Sequence, residues 1–488
     1  MTTQDTVKPS AVRNAAEVTT WDFEADVVVA GLGCAGACAA IEAAEAGADV
    51  LVLERASGGG GTSAMSGGLI YMGGGTPVQK ACGFDDTPEE MFKFLMAACG
   101  PEPDEAKIRI FCDESVSHFH WLEQHGVPFK YTHYPEPFME PPTDDCLVYS
   151  GGEDAYPFDR IAKPVPRGHK PQAPGAAGGF LMQRLVAATE ATPARILCDA
   201  RCETLVVDGR GRVVGTVIKH DGTHKAVRAR RGVVLTAGGF IMNRDMVARH
   251  TPLLWKASYK LGQDGDDGRA IRMAMGAGAD VIRMDAGEVA IPIIPPRRLM
   301  RGIFVNQFGQ RFVNEDSYPG HVAQECLFHH DGKMFLIVDT AIYERNLAGM
   351  EATHVEETVA DLERSLGFPT GVLQHTVEFY NQGAARGEDP VFHKQPGFLT
   401  PLNNPPYAAI DCCTDKVLWA VFTLGGLHTL PTGEVLDPDG QVIPGLYAAG
   451  RTTSGVAAYG YVSGVSLGDG TFFGRKAGRQ AAAAALAP

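Results

Sequence analysis

The sequence predicts an α/β protein. A parallel-sheet domain is built from residues 1–284 and 415–488, and an α+β cap is inserted at 285–414. Three observations carry this. The runs "ADVVVAG" (25–31), "GCAGACAAIEAAEAG" (33–47) and "ADVLVLERA" (48–56) read as strand, helix and strand, a unit whose two strands run parallel. Two later apolar runs, "GVVLTAGG" (232–239) and "GLYAAG" (445–450), end in glycines. They read as buried strands that bring the chain back to the same crevice. Between 285 and 414 this regularity stops, and proline pairs ("PIIPPRR") mix with helical pieces such as "ETVADLERSLGF".

The remaining elements follow in order. Residues 1–21 have no apolar stretch of the kind a secretory signal needs, and read as a loose arm. From 194 to 240 short β-rich runs are broken by "DGRG" and "DGTH", both hairpin turn signals. The chain finishes on a helix, "GDGTFFGRKAGRQAAAAALA". No run of about 18 apolar residues is present to span a membrane.

Composition narrows the function. A net charge of −15 argues against nucleic acid and anionic membrane surfaces as partners. The eleven cysteines are scattered without C-x-x-C pairs, so no metal site is expected. They read as reduced packing residues of a cytoplasmic protein. Glycine is abundant, 58 of 488 residues or about 12% against a usual ~7%. Much of it is clustered, as backbone brought close to a ligand requires.

Gly31, Gly33 and Gly36 stand in G-x-G-x-x-G spacing between the first strand and its helix, the context that motif needs. Gly31 permits the tight turn, Gly33 lets a pyrophosphate approach, and Gly36 lets helix and strand pack closely. The helix N-terminus then offers free N–H groups to phosphate charge. Glu54 ends the second strand, 23 residues after Gly31, and places a carboxylate for a ribose 2′-hydroxyl. The glycine- and serine-rich loop "RASGGGGTSAMSGG" (55–68) suits the long wrap around FAD better than a nicotinamide dinucleotide. The domain is therefore read as a Rossmann-type FAD-binding domain.

These stretches, with "GDDGRAIRMAMGAGA", "GQRFVNED" and "TLGGLHT", resemble the fumarate reductase and succinate dehydrogenase flavoprotein family, which includes the 3-ketosteroid dehydrogenases. They run in the family's order over nearly the whole chain. The resemblance implies an FAD cradle of Gly31, Gly33, Ala35, Gly36, Glu54, Arg55, Thr62, Ser63, Gly67, Gly68, Cys202, Ala237, Gly238, Asp267, Gly450, Arg451, Ser466 and Leu467. Some relatives carry a histidine joined to the flavin before a threonine of the glycine-rich loop. Here Gly61 precedes Thr62, so FAD is expected without a covalent bond. Arg451 stands where the family often has glutamate.

The substrate end departs further. Dicarboxylate-reducing relatives place an arginine just after "RF-x-NE"; here the stretch is "RFVNEDSYPG" and Pro319 follows Tyr318. A second arginine precedes "LGGNS" in those relatives, and Tyr461 stands there in "YVSGVSL". A histidine near the "TLGG" threonine is replaced by Ala420, Val421 and Phe422. A pocket without arginine does not repay the desolvation of a dicarboxylate, several kcal/mol per charge. A neutral hydrophobic ketone is expected instead.

The resemblance then implies a dehydrogenase of the Δ4-(5α) type, desaturating C4–C5 of a saturated 3-ketosteroid and passing electrons to an external acceptor. Tyr318 is the candidate base. Tyr461 and Ser463 are expected to relay the proton or hold the ketone, with the Gly464 N–H adding a donor and Tyr459 lining the wall. An aromatic segment with Tyr131, Tyr134 and Phe138 is a candidate cover. Three alternatives stay open: the Δ1 type, an enoate reductase like the fumarate reducers, and a flavin-binding subunit without its own catalysis.

Overall fold

The computed structural model describes residues 12–136, 140–291, 297–345 and 350–486; Phe138 lies outside them. In chain order, the elements that position the site begin with β1 (Phe23–Ala30), α1 (Cys34–Glu45) and β2 (Val50–Leu53). Next come β3 (Arg195–Leu197), β4 (Arg201–Val207), β5 (Val213–His220) and β6 (Thr223–Leu235). Then follow β7 (Gly287–Ala290), β8 (Ile303–Asn306), α2 (Pro319–His329), β9 (Met334–Asp339) and β10 (Ala352–Glu356). The set ends with β11 (Tyr407–Asp411), β12 (Ala420–Thr423), β13 (Val442–Ala448) and α3 (Val465–Ala483).

Strands β3, β2, β1, β6 and β13 lie side by side in one sheet, all parallel. β1 alternates cleanly between two cores. Val27 and Val29 face α1 and α3, while Val28 and Ala30 face the core shared with Phe240 and Leu254. That is the period-two pattern of a strand covered on both faces. The predicted hairpins form as read. β5 and β6 are joined through Asp221 and Gly222, both at positive φ (50° and 73°), the geometry of a tight two-residue turn.

The close approach of α1 and α3 is set by missing side chains. Gly470, Gly474 and Gly478 recur every four residues along α3. A Cβ at Gly474 would stand 2.4 Å from the Ala35 carbonyl oxygen, and one at Gly478 2.1 Å from that of Ala39. Alanine-rich α1 presents a matching smooth face. Both helices therefore bring their first turns to one cavity.

An antiparallel sheet ordered β8-β9-β11-β10 builds the second layer system. β7 instead pairs with β12, so Glu288 sits opposite Phe422 across that ladder. The "RFVNED" stretch is anchored by buried charge. Arg311 donates Nε and Nη2 to the two Glu315 oxygens (2.8 and 2.6 Å), and Nη2 also reaches Asp389 (2.7 Å). Lys394 lies 3.4 Å from Glu315. Burial alone would raise the Glu315 pKa, yet Lys394 and Arg311 hold it below the usual carboxylate range.

Two outcomes follow. Replacing Arg311 with leucine leaves Glu315 buried and underpaired, and lowers the unfolding free energy by about 3–5 kcal/mol, measurable by denaturant titration. Because the folded Glu315 pKa is depressed, its stabilisation is present above the unfolded value of about 4.3 and is lost as pH falls through the lower folded value. The wild type therefore loses more stability below pH ~4 than the Arg311→Leu variant does.

Candidate active site

A cavity of about 910 Å³ runs along the C-terminal ends of β1 and β6 and the N-terminal turns of α1 and α3. Of the residues singled out from sequence, it is lined by Gly31, Gly33, Ala35, Glu54, Arg55, Thr62, Ser63, Gly67, Gly68, Cys202, Ala237, Gly238, Asp267, Gly450, Arg451, Ser466 and Leu467 at one part. Tyr318, Tyr461, Ser463 and Gly464 line the other. Gly36 lies behind the wall, where a Cβ would collide with the Gly31 carbonyl oxygen at 1.9 Å. Tyr459 is not among the lining residues. Its hydroxyl donates to Asp285 (3.1 Å), so the ring is turned toward that carboxylate. Tyr131 is exposed and donates to Glu123, also outside the cavity.

The cradle is mostly backbone and small side chains. Gly31 and Gly238 hold φ of 104° and 80°, and a Cβ on Gly238 would stand 2.0 Å from Asp266 Oδ1. The Cys34 N–H is taken by Ser63 Oγ (3.2 Å), which ties the glycine-rich loop to the start of α1. Glu54 is fixed at both oxygens: Oε2 accepts from the Leu32 N–H and Oε1 from the Ala56 N–H, each at 2.8 Å. Glu54 lines the cavity, where its remaining lone pairs would suit ribose hydroxyls. Bare backbone, a helix N-terminus and an anchored carboxylate fit a dinucleotide of the FAD kind.

Asp266, not its neighbour Asp267, organises this cradle. It accepts from Thr62 Oγ1, from the Gln263 and Gly239 N–H groups (3.2 Å each) and from Arg451 Nη2 (2.9 Å). Three separate loops thus converge on one carboxylate. Asp267 caps the turn before Arg269 and lies 3.5 Å from the half-exposed Arg55.

The other end of the cavity is apolar and phenolic. Ala290, Ala420 and Phe422 line it, and Phe422 meets the Tyr461 ring edge-on at 5.4 Å. Arg451 lies 5.2 Å over the Phe422 ring, its charge already paired with Asp266. Tyr318 is the residue before α2, with Pro319 at the first helical position, where proline suits the helix. Its side chain makes no cap and is buried at 5% exposure. Its hydroxyl donates to Glu288 Oε1 (3.4 Å). Burial pushes the phenol well above its ordinary pKa, and the Glu288 and Tyr461 side chains push it further, while Ser463 pulls it down. Tyr461 accepts the Ser466 N–H (3.4 Å) from the first turn of α3. Burial moves it up to about 12, the Glu288 carboxyl adds to this, and Ser466 and Arg451 oppose the rise.

Glu288 was not foreseen. It lines the cavity at 1% exposure beside both phenols. In sequence it stands in "DAGEVAIPI", three residues after Asp285 and just before an apolar run, and nothing in that spacing marked it.

A family model described as an FAD binding domain matches residues 26–467. The chain belongs to this FAD-binding flavoprotein family. FAD is its cofactor, and it is a flavin-dependent oxidoreductase. This flavoprotein is 30% identical over 499 residues to a 3-oxo-5-alpha-steroid 4-dehydrogenase of Comamonas testosteroni, covering 88% of this chain and 93% of that one. It is 51% identical to the crystallised 3-ketosteroid-delta4-(5alpha)-dehydrogenase of Rhodococcus jostii RHA1, in complex with 4-androstene-3,17-dione, with a TM-score of 0.93 over 97% of this chain and 99% of that one. A 3-ketosteroid delta1-dehydrogenase from Sterolibacterium denitrificans shares the fold, with a TM-score of 0.72 at 23% identity over 94% of this chain and 99% of that one.

Glu54→Ala strands the Leu32 and Ala56 N–H groups and removes the ribose acceptor. A loss of about 1–3 kcal/mol in flavin binding is expected, or roughly 5- to 150-fold in Kd. Release of flavin fluorescence on dilution measures it.

Proposed function

We propose that this flavoprotein desaturates C4–C5 of a saturated (5α) 3-ketosteroid by removing an α proton and a β hydride. The observation that carries the reading is the meeting of Tyr318 and Tyr461, both buried, at an apolar cavity end whose nearby guanidinium, Arg451, is engaged by Asp266. A dicarboxylate finds a single guanidinium there, with Nη2 already held by Asp266, whereas a neutral ketone needs only hydrogen-bond donors. The similarity to two C4–C5 dehydrogenases supports the choice of bond.

Bound without a covalent link, FAD supplies the oxidant that takes the hydride from the β carbon. The protein does the rest. Tyr461 receives a backbone N–H on its oxygen, which leaves its own O–H for the ketone. Gly464, at the start of α3, adds its N–H, and the N-terminal end of that helix favours the negative charge of an enolate. Tyr318 takes the α proton, with Ser463 beside it. An unaided phenolate is out of reach: ionising an ordinary tyrosine at neutral pH costs about 4 kcal/mol, and burial of Tyr318 adds to that. Proton removal therefore has to be relayed as it happens. All eleven cysteines are free, in keeping with work in a reducing, cytoplasmic setting, and no helix among the described residues is long and apolar enough to cross a membrane. The electrons leave to an external carrier.

Anaerobic addition of a 5α-3-ketosteroid bleaches the flavin, and the product carries a new C4–C5 double bond. A C1–C2 double bond would favour the Δ1 reading, and rapid reoxidation of reduced flavin by fumarate or urocanate an enoate reductase. Tyr318→Phe lowers kcat at least ~100-fold while the flavin spectrum stays unchanged.

A further inference from the structure

The phenolic end of the cavity contains an acid that the reaction outlined above leaves without a task. Glu288 projects from β7, the strand paired with β12, and is sealed from solvent at 1% exposure. One carboxyl oxygen accepts the Tyr318 hydroxyl, and the other, Oε2, has no hydrogen-bond partner. Buried carboxyl oxygens without partners are rare and demand an explanation. Glu315, by contrast, holds Arg311 and Lys394, and Glu54 holds two backbone N–H groups; Asp159, Asp316 and Asp469 also leave one oxygen without a partner, but none of them lines the cavity.

The space for the pair is also kept open. Gly320, two residues after Tyr318, carries no side chain where a Cβ would stand 2.2 Å from Tyr318 Cε1 and 2.7 Å from Glu288 Oε1. Its φ is not in the left-handed region, so the backbone itself does not require glycine. Room for Tyr318 and Glu288 does.

Resting on the dehydrogenase reading, we propose that Glu288 is the proton acceptor behind Tyr318, and that the α proton of the ketone ends on its carboxylate. The α C–H bond breaks and its electron pair stays in the enolate. The proton joins Tyr318 Oη as the existing Oη–H bond breaks, and that second proton moves to Glu288 Oε1. Tyr318 is a phenol before and after, so no free phenolate is formed. The electron half of the reaction is the hydride transfer already assigned to FAD. The proton leaves Glu288 after turnover.

The site favours the end state of this relay. Burial raises the Glu288 pKa well above the ordinary carboxyl value, opposed by the Val289 N–H and the Tyr318 hydroxyl. The titratable groups that face it are Tyr318, ahead of α2, and Tyr461, ahead of α3. His321 meets the Tyr318 ring edge-on and is itself pushed down to about 4, hence neutral. The cation acting on Tyr461 is Arg451, whose Nη2 is held by Asp266. Among the described residues no cation lowers the Glu288 pKa, so its proton affinity stays high once the α proton arrives.

The ionised form of Glu288 is the one that accepts. The pH profile of kcat/KM therefore carries a limb that rises with pH as Glu288 loses its proton. Glu288→Gln is isosteric with the protonated acid, so its folding and flavin content are expected to match the wild type. Its kcat is expected to fall ~10²- to 10⁴-fold and the limb to vanish, while binding of a 4-en-3-one, read from the flavin difference spectrum, changes less than threefold. Gly320→Ala, which crowds the pair, is expected to lower kcat with flavin retained. Wild-type rate and an unchanged pH limb in Glu288→Gln would overturn the proposal.

An infrared pH titration of the holoenzyme separates this from the substrate reading. The protonated-carboxyl C=O band that Glu288→Gln abolishes is expected whether or not steroids are oxidised. Its absence in the wild type overturns the role of Glu288, whereas a flavin that steroids fail to bleach overturns the dehydrogenase reading.

Discussion

The contact between α1 and α3 ties the two ends of the cavity together. Two helix backbones approach with no side chain between them, because Gly470, Gly474 and Gly478 face an alanine surface. The first turn of α1 is thereby fixed at the glycine-lined end of the cavity and the first turn of α3 at the phenolic end. One shared spacing sets the distance between the two ligand-binding ends of the cavity. Both helix termini direct partial positive charge inward, so the same contact also shapes the field in which a ligand sits.

The site combines two kinds of carboxylate, and their surroundings decide what each does. Asp266 gathers donors from three other loops and one from its own, and acts as a clasp. Glu315 is likewise saturated by Arg311 and Lys394, which anchors the loop that carries Tyr318. Glu288 has one phenol and an empty oxygen. Saturated carboxylates hold geometry; an unsaturated one in a dry setting has its affinity for a proton raised.

Much of this was legible in the sequence. The strand–helix–strand start, the two hairpin turns and the glycine-ended strands each rest on local spacing, and local spacing survives folding. The cradle was legible for the same reason, since it is made of backbone near marked glycines. What stayed hidden depends on contacts between distant segments. Asp266 and Asp267 look alike in "GDDG", and only the approach of Thr62 and Arg451 separates them. Glu288 gains meaning from Tyr318, thirty positions away. Tyr459 shows the converse: its position in sequence suggested a wall residue, and a hydrogen bond to Asp285 turns it elsewhere.

Tyr318 and Glu288 arrive on segments distinct from those that build the cradle. The cradle rests on main-chain shape, small residues and the anchored carboxylates Glu54 and Asp266, while the proposed proton handling rests on a few replaceable side chains delivered from outside. Such a division makes the scaffold evolvable. Exchanging the loop before α2, or the acid on β7, re-addresses the chemistry to another substrate without disturbing the flavin's seat. A common architecture can in this way diversify by editing a handful of codons.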